Sequence, residues 1–186
     1  MPRHFIIMFD EFSINSSDVK KGENNPEVIV ASRCINVALF VSNNLRRDVQ
    51  VSIAMGKHND LRVISFPGES LRRVSPDERS ISFFLLKAMN ILSELELGRS
   101  KTMDNGIVVH RRSFADLLNQ WNPSTVYRSA LEPYSLQGYP NLDSDGLFVY
   151  SFRDSSAEEI DEIGPLPRPS SPERFILDVN TLFDGK

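Results

Sequence analysis

Cysteine is nearly absent. Cys34 is the single one in 186 residues, which excludes an internal disulfide and any cysteine-rich metal site. Its place on the apolar face of an expected helix makes it a packing residue. Histidine is scarce too: His4, His58 and His110 lie far apart with no ligand partner at helical or hairpin spacing, so no metal is expected. The chain has no Gly-rich phosphate loop with its lysine, no Gly-x-Ser-x-Gly elbow and no Gly-x-Gly-x-x-Gly after its first strand, which disfavours the common nucleotide hydrolases, serine hydrolases and dinucleotide enzymes. No apolar run approaches the roughly 20 residues that cross a bilayer. The apolar stretch after Met1 is short and ends at Asp10, unlike a signal peptide. A cytoplasmic protein without membrane association is the expectation.

What is present is a chain of ordinary globular composition, 40% hydrophobic and 25% charged, long enough for one compact domain over 1–186. The net charge of −4 argues against a general polyanion binder. The balance is uneven, however: residues 1–113 carry 16 Lys and Arg against 13 Asp and Glu, whereas the remaining 73 carry 5 against 12. Any nucleic-acid contact is therefore expected on the N-terminal part, through local arginine clusters.

Strand and helix patterns alternate. His4–Phe9 reads as a buried strand, and Asn25-Pro26-Glu27 opens a helix whose apolar residues recur from Val28 to Val41 before stopping at Asn43-Asn44. Asp48–Met55 and Leu61–Phe66 read as two strands around the turn Gly56–Asp60, a possible hairpin. Ser75 is expected to cap the clearest helix in a capping box with Glu78, Pro76 standing at its first position and Gly98 as its stop. Gly106–Arg111, Leu147–Phe152 and Phe175–Val179 read as strands, and Ser113–Trp121 as a short helix. The proline-rich Gly164–Pro172 looks like a linker or an enclosed loop.

Charged residues gather where elements meet: Arg46-Arg47-Asp48 between a helix and a strand, and Arg72, Arg73, Asp77, Glu78 and Arg79 between a strand and a helix. In an α/β fold such junctions line ligand crevices. Asp77 and Glu78 have an ordinary explanation as first-turn acids favoured by the helix dipole. Arg46-Arg47-Asp48 is less easily dismissed, because three adjacent charges interrupt two apolar elements.

The order Ala38-Leu39-Phe40-Val41-Ser42-Asn43-Asn44-Leu45-Arg46-Arg47-Asp48-Val49, then Gly68-Glu69-Ser70-Leu71-Arg72-Arg73-Val74-Ser75-Pro76-Asp77-Glu78-Arg79-Ser80, resembles the archaeal tRNA pseudouridine-54 N1-methyltransferases. These are knotted methyltransferases of the SPOUT superfamily. Similarity continues through Asn105–Val109 and Arg112-Ser113-Phe114. The resemblance implies an α/β sheet flanked by helices, a C-terminal trefoil knot within about 145–186, a homodimer, and methyl transfer from S-adenosylmethionine to N1 of a pseudouridine in the tRNA T-loop. That nitrogen carries a proton at neutral pH, so the chemistry wants a carboxylate for the proton and a cation for the resulting anion. By the resemblance Asp48 takes the first role and Arg46 the second, while Arg47, Arg72, Arg73 and Arg79 contact tRNA. Leu147, Val149 and Asp154 would belong to a first cofactor loop and Gly164, Pro165 and Leu166 to a second. Ser151-Phe152-Arg153-Asp154 stands where the family carries Gly-Asp-His. An alternative follows from that departure: a SPOUT-derived RNA-binding or dimeric scaffold whose cofactor pocket has eroded. An unrelated α/β protein that binds a small anion at its charged junctions is a third reading.

Overall fold

A computed structural model describes residues 3–42, 44–129, 139–152 and 163–184. Its centre is β1 (Arg3–Met8), in which all six residues are buried, as suits a strand covered on both faces. Hydrogen-bonded beside it are β4 (Val49–Lys57) and β9 (Leu147–Ser151), both parallel to it. Outward from β9 lie β8 (Val126–Ser129) and then β10 (Ile163–Leu166), again parallel. Outward from β4 the sheet turns antiparallel through β5 (Asp60–Pro67), β7 (Val108–Arg112) and the edge strand β6 (Arg99–Thr102). The eight-stranded order is β10-β8-β9-β1-β4-β5-β7-β6.

Helices cover both faces. On one face α2 (Pro26–Leu39), α3 (Glu78–Glu94) and α5 (Pro172–Asp184) share a core with Phe5, Ile7, Phe66 and Phe148. On the other, α4 (Phe114–Trp121) sets Phe114 and Leu117 against Ile6, Met8, Leu147 and Val149. Burying such a side chain stabilises the fold by roughly 1.5–3 kcal/mol, and the alternation of Phe5 and Ile7 with Ile6 and Met8 divides β1 between the two layers.

The expected hairpin is observed as β4–β5, and Ser113 caps α4 with its hydroxyl accepting from the Asp116 amide. Several expectations are corrected. Phe175–Val179 is helical: Phe175, Ile176, Val179 and Asn180 recur at helical spacing and are all buried, and Pro172 stands in the first turn, where its missing N–H costs nothing. The cap of α3 is Asp77, whose carboxylate accepts from the Ser80 amide at 2.8 Å. Ser75 instead donates its own amide to Ser80 Oγ, and Glu78 accepts from Asn24 Nδ2. The same helix ends at Glu94, leaving Gly98 to form the left-handed turn into β6. Finally, α2 stops at Leu39, and Phe40–Val41 (β2) pairs with Asn44–Leu45 (β3) in a small hairpin. A short α1 (Ser16–Lys21) occupies the region read as a polar loop.

Candidate functional site

The segment after β3 is held by its own arginines. Arg46 donates through Nη1 to the carbonyls of Val37 and Ala38, groups that the end of α2 leaves without helical partners. Its Nε and Nη2 donate to Asp184 Oδ2 at 2.9 and 2.6 Å, tying the end of α5 to the end of α2. Asp48 lies two residues on, 74% exposed, and accepts from Arg3 Nη2 at 3.1 Å. Arg3 is 3% exposed and stacked 4.7 Å from the centroid of the Phe183 ring, with Asp184 Oδ1 3.6 Å from its Nη2. Burial pulls the Arg3 guanidinium below its ordinary value, and the charges of Asp48 and Asp184 oppose that shift. The result is an alternating quartet, Asp48–Arg3–Asp184–Arg46, in which one carboxylate faces solvent on a buried cationic anchor.

Arg47 points the other way. Its Nη1 donates to the carbonyls of Gly68 and Leu71 at 2.8 and 3.2 Å, so it clamps the turn that follows β5. Gly68 has to be glycine there: a Cβ would collide with the backbone carbonyl of Arg46 and lie 2.7 Å from that of Val49. The two charged stretches are thus brought together through this turn. Between them opens a cleft of about 920 Å³ bordered by Arg47, Phe40, Asn44, Leu45, Val74 and Pro76. Asn36 closes it by donating to the Pro76 carbonyl. Arg72, Arg73 and Arg79 are exposed, Arg73 in a left-handed conformation with φ of 57° and Arg79 beside Lys20 and Phe83 at the mouth of a groove between α1 and α3.

The residues expected to meet a cofactor are differently placed. The side chains of Leu147, Val149 and Leu166 are fully buried in the core, so only their main chains could touch a ligand. Gly164 packs on Tyr127, whose ring a Cβ would approach to 2.8 Å, and Pro165 is exposed. Asp154 lies outside the described residues. The sequence reading missed Arg168, which binds the carboxyl ends of two strands: its Nη1 donates to Ser129 Oγ at 3.0 Å, its Nη2 to the Ser151 carbonyl at 2.7 Å, and its guanidinium lies 4.2 Å from the Tyr150 ring centroid. Beside it Phe152, 40% exposed, packs 5.2 Å from Phe9, which in turn touches Phe12. An arginine between two prolines was the available signal, and it was read as linker.

Asp48 and Arg168 mark opposite ends of the sheet. Arg3 pairs with Val49 at the amino ends of β1 and β4, whereas Ser151 pairs with Met8 at the carboxyl ends of β9 and β1. Five steps of strand separate these edges by about 17 Å at roughly 3.3 Å per residue.

Residues 14–128 match a family model described as a putative SAM-dependent RNA methyltransferase. The chain belongs to this family of RNA methyltransferases, and the curated proteins it is similar to include archaeal enzymes named tRNA (pseudouridine(54)-N(1))-methyltransferase. The one from Methanocella arvoryzae is 37% identical over 117 residues, 62% of this chain and 58% of its own length. That from Methanococcus maripaludis is 34% identical over 165 residues, 82% of each chain, and that from Methanocaldococcus jannaschii 33% over 123 residues, 62% and 60%. The chain thus spans a little over half the length of several of these relatives and most of two. Among the described residues no helix is long and apolar enough to cross a membrane.

Proposed function

We propose that this protein methylates N1 of a pseudouridine in the T-loop of tRNA, using S-adenosylmethionine, and that it does so in the cytoplasm as a homodimer. The observation that carries the reading is the exposed Asp48 carboxylate anchored on buried Arg3, within the segment that matches the methyltransferase family. Asp48 accepts the N1 proton, leaving the ring nitrogen an electron pair with which to bond the methyl carbon. When bound, S-adenosylmethionine supplies that methyl, its carbon–sulfur bond breaking as the new bond forms. Arg46 is the cation assigned to the developing anion, its guanidinium held in place by Asp184 and the end of α2. Arg47 borders the cleft, and the exposed Arg72, Arg73 and Arg79 follow along the turn and the start of α3; together they supply cations for the phosphates.

The carboxyl ends of β8 and β9 fit the cofactor better than the buried side chains of Leu147 and Val149 do. Phe152 offers an aromatic face for a purine, the backbone around Gly164 and Pro165 borders the same edge, and Arg168 offers a cation for a carboxylate. A site there is about 17 Å from Asp48 of the same chain, which favours a second copy whose carboxyl edge faces Asp48. The path of the C-terminal segment favours a trefoil knot, since β10 lies at the far edge of the sheet whereas α5 packs on α2 and anchors Arg46 and Arg3.

The test is nucleoside mass spectrometry of tRNA bearing pseudouridine at position 54, incubated with protein and S-adenosylmethionine. A new N1-methylpseudouridine is expected, and unmodified tRNA would overturn the reading. One observation favours the scaffold alternative: Arg168 already bridges the strand ends where the cofactor would lie. Calorimetric titration separates the two, since an eroded pocket takes up no S-adenosylmethionine.

A further inference from the structure

A second charged cavity lies on the other side of the Gly68–Pro76 turn. It has a volume of about 470 Å³ and is lined by Arg73 from the turn, Phe84 and Lys87 from α3, and Lys101 and Asn105 from β6 and the turn after it. Three cations face it against one acid, Asp104. Lys87 Nζ is 4.5 Å from the centroid of the Phe83 ring and 6.0 Å from that of Phe84, and these rings meet edge to face at 5.4 Å. Asn105 is 7% exposed, and its Nδ2 has no hydrogen-bond partner among the described residues. A buried amide donor left without a partner costs about 1–3 kcal/mol, a cost that a ligand acceptor would remove.

The two turns that frame the pocket are tied together. The Arg72 amide donates to the Asn105 carbonyl at 2.9 Å and Ser70 Oγ to the Gly106 carbonyl, while Gly106, at φ of 89°, is so close to the Ser70 carbonyl that a Cβ would collide with it. This lock between the two turns leaves the next residue, Arg73, in the left-handed region, which a residue other than glycine adopts at a cost of order 1–3 kcal/mol. Strain of that kind, spent on projecting a cation into a pocket with two lysines, an aromatic face and an unsatisfied amide, points to an anionic ligand with a flat ring.

We propose that this pocket is a docking site for a nucleotide of the RNA other than the modified one, with its phosphate among Arg73, Lys87 and Lys101, its base against Phe84, and a base or sugar oxygen on Asn105. The inference rests on the methyltransferase reading for the identity of the RNA. Its charge and aromatic content match a looped strand whose bases are unstacked. Its position explains how docking reaches the candidate centre: Arg47 grips residues 68 and 71 of the turn from which Arg73 projects. RNA held here therefore bears on the turn that Arg47, at the border of the cleft, clamps.

The test uses the full chain and a fluorescein-labelled T-arm stem-loop containing pseudouridine, with binding followed by anisotropy across salt concentrations. Lys87 and Lys101 are exposed, so Lys87→Ala/Lys101→Ala should fold normally by circular dichroism. The double variant should bind the stem-loop about tenfold more weakly, with the salt slope reduced by roughly one to two. S-adenosylmethionine affinity should be unchanged. Phe84→Leu should weaken binding while leaving the slope intact. An unchanged affinity and slope in the double variant would overturn the docking site even if the wild type methylates tRNA. Weakened stem-loop binding by the double variant, where the wild type transfers no methyl group, would support the docking site and overturn the catalytic reading alone.

Discussion

Arg46 and Asp184 meet at 2.6 Å across 138 positions of sequence. That one contact joins the helix that ends the described chain to the junction from which Asp48 projects, and it makes the C-terminal helix part of the candidate centre.

Replacing Asp184 with Asn removes the shared acid of Arg46 and Arg3. Arg3 then keeps only Asp48, and its buried charge is less well compensated. We expect a loss of about 1–2 kcal/mol in urea unfolding, together with a fall in methyl transfer larger than the change in the fraction folded. Wild-type activity in a folded Asp184→Asn protein would show that α5 has no part in the chemistry.

Asp48→Asn should separate chemistry from architecture. Its side chain is 74% exposed and the amide can still accept from Arg3, so unfolding should change by no more than about 1 kcal/mol. Methyl transfer at neutral pH should fall about 100-fold or more, the range over which a proton acceptor contributes. Full activity would dismiss Asp48 as that acceptor.

Arg73 sets stability against binding. Asparagine tolerates the left-handed region better than arginine does, so Arg73→Asn should stabilise the fold by up to about 1 kcal/mol while weakening tRNA binding. A melting temperature that fell with the substitution would show that the φ of 57° carries no strain.

Gly68→Ala makes the opposite case. Its Cβ would meet two backbone carbonyls that no rotamer change can move, so we expect a loss of about 3 kcal/mol or more. Arg47 and Arg72 would be displaced with the turn. Near-normal stability would mean that the turn and the Arg46 carbonyl can separate freely.

Legibility followed the range of the forces. The β4–β5 hairpin and α4 could be read because alternation, a turn and a serine cap are local signals. The cap of α3 was misplaced by two residues because Ser75-Pro76-Asp77 offers two competent caps, and only the tertiary path, with Glu78 accepting from Asn24, selects Asp77. The helix at Phe175 reads as a strand because a five-residue stretch with four apolar residues suits either period. Arg46-Arg47-Asp48 stands out in the sequence as a junction, though it joins β3 to β4 rather than a helix to a strand, and nothing local could reveal that Arg46 binds Asp184, that Asp48 rests on Arg3, or that Arg168 gathers two strand ends. Those contacts span tens to more than a hundred residues.

The face covered by α4 carries a last prediction. His4 Nε2 is 2.7 Å from Ser52 Oγ and His110 Nδ1 is 2.8 Å from Ser100 Oγ, with both rings set edge-on to Trp121. Burial pushes His4 down to about 3 and His110 down to about 4, and the charge of His110 lowers His4 further. Both are therefore neutral in the folded protein, whereas in the unfolded chain they gain protons below roughly pH 6.5. The unfolded state binds more protons between these limits, so stability falls as the pH drops from about 6.5 toward 4. Each histidine should cost up to about 2 kcal/mol by pH 5 on this linkage. Trp121 is the only tryptophan, so its emission reports unfolding from within the cluster. We expect His4→Gln to lose about half of the pH dependence of the urea midpoint over that window, because glutamine can still hydrogen-bond Ser52 but does not titrate. An equally steep dependence in the variant would place the acid sensitivity elsewhere in the molecule.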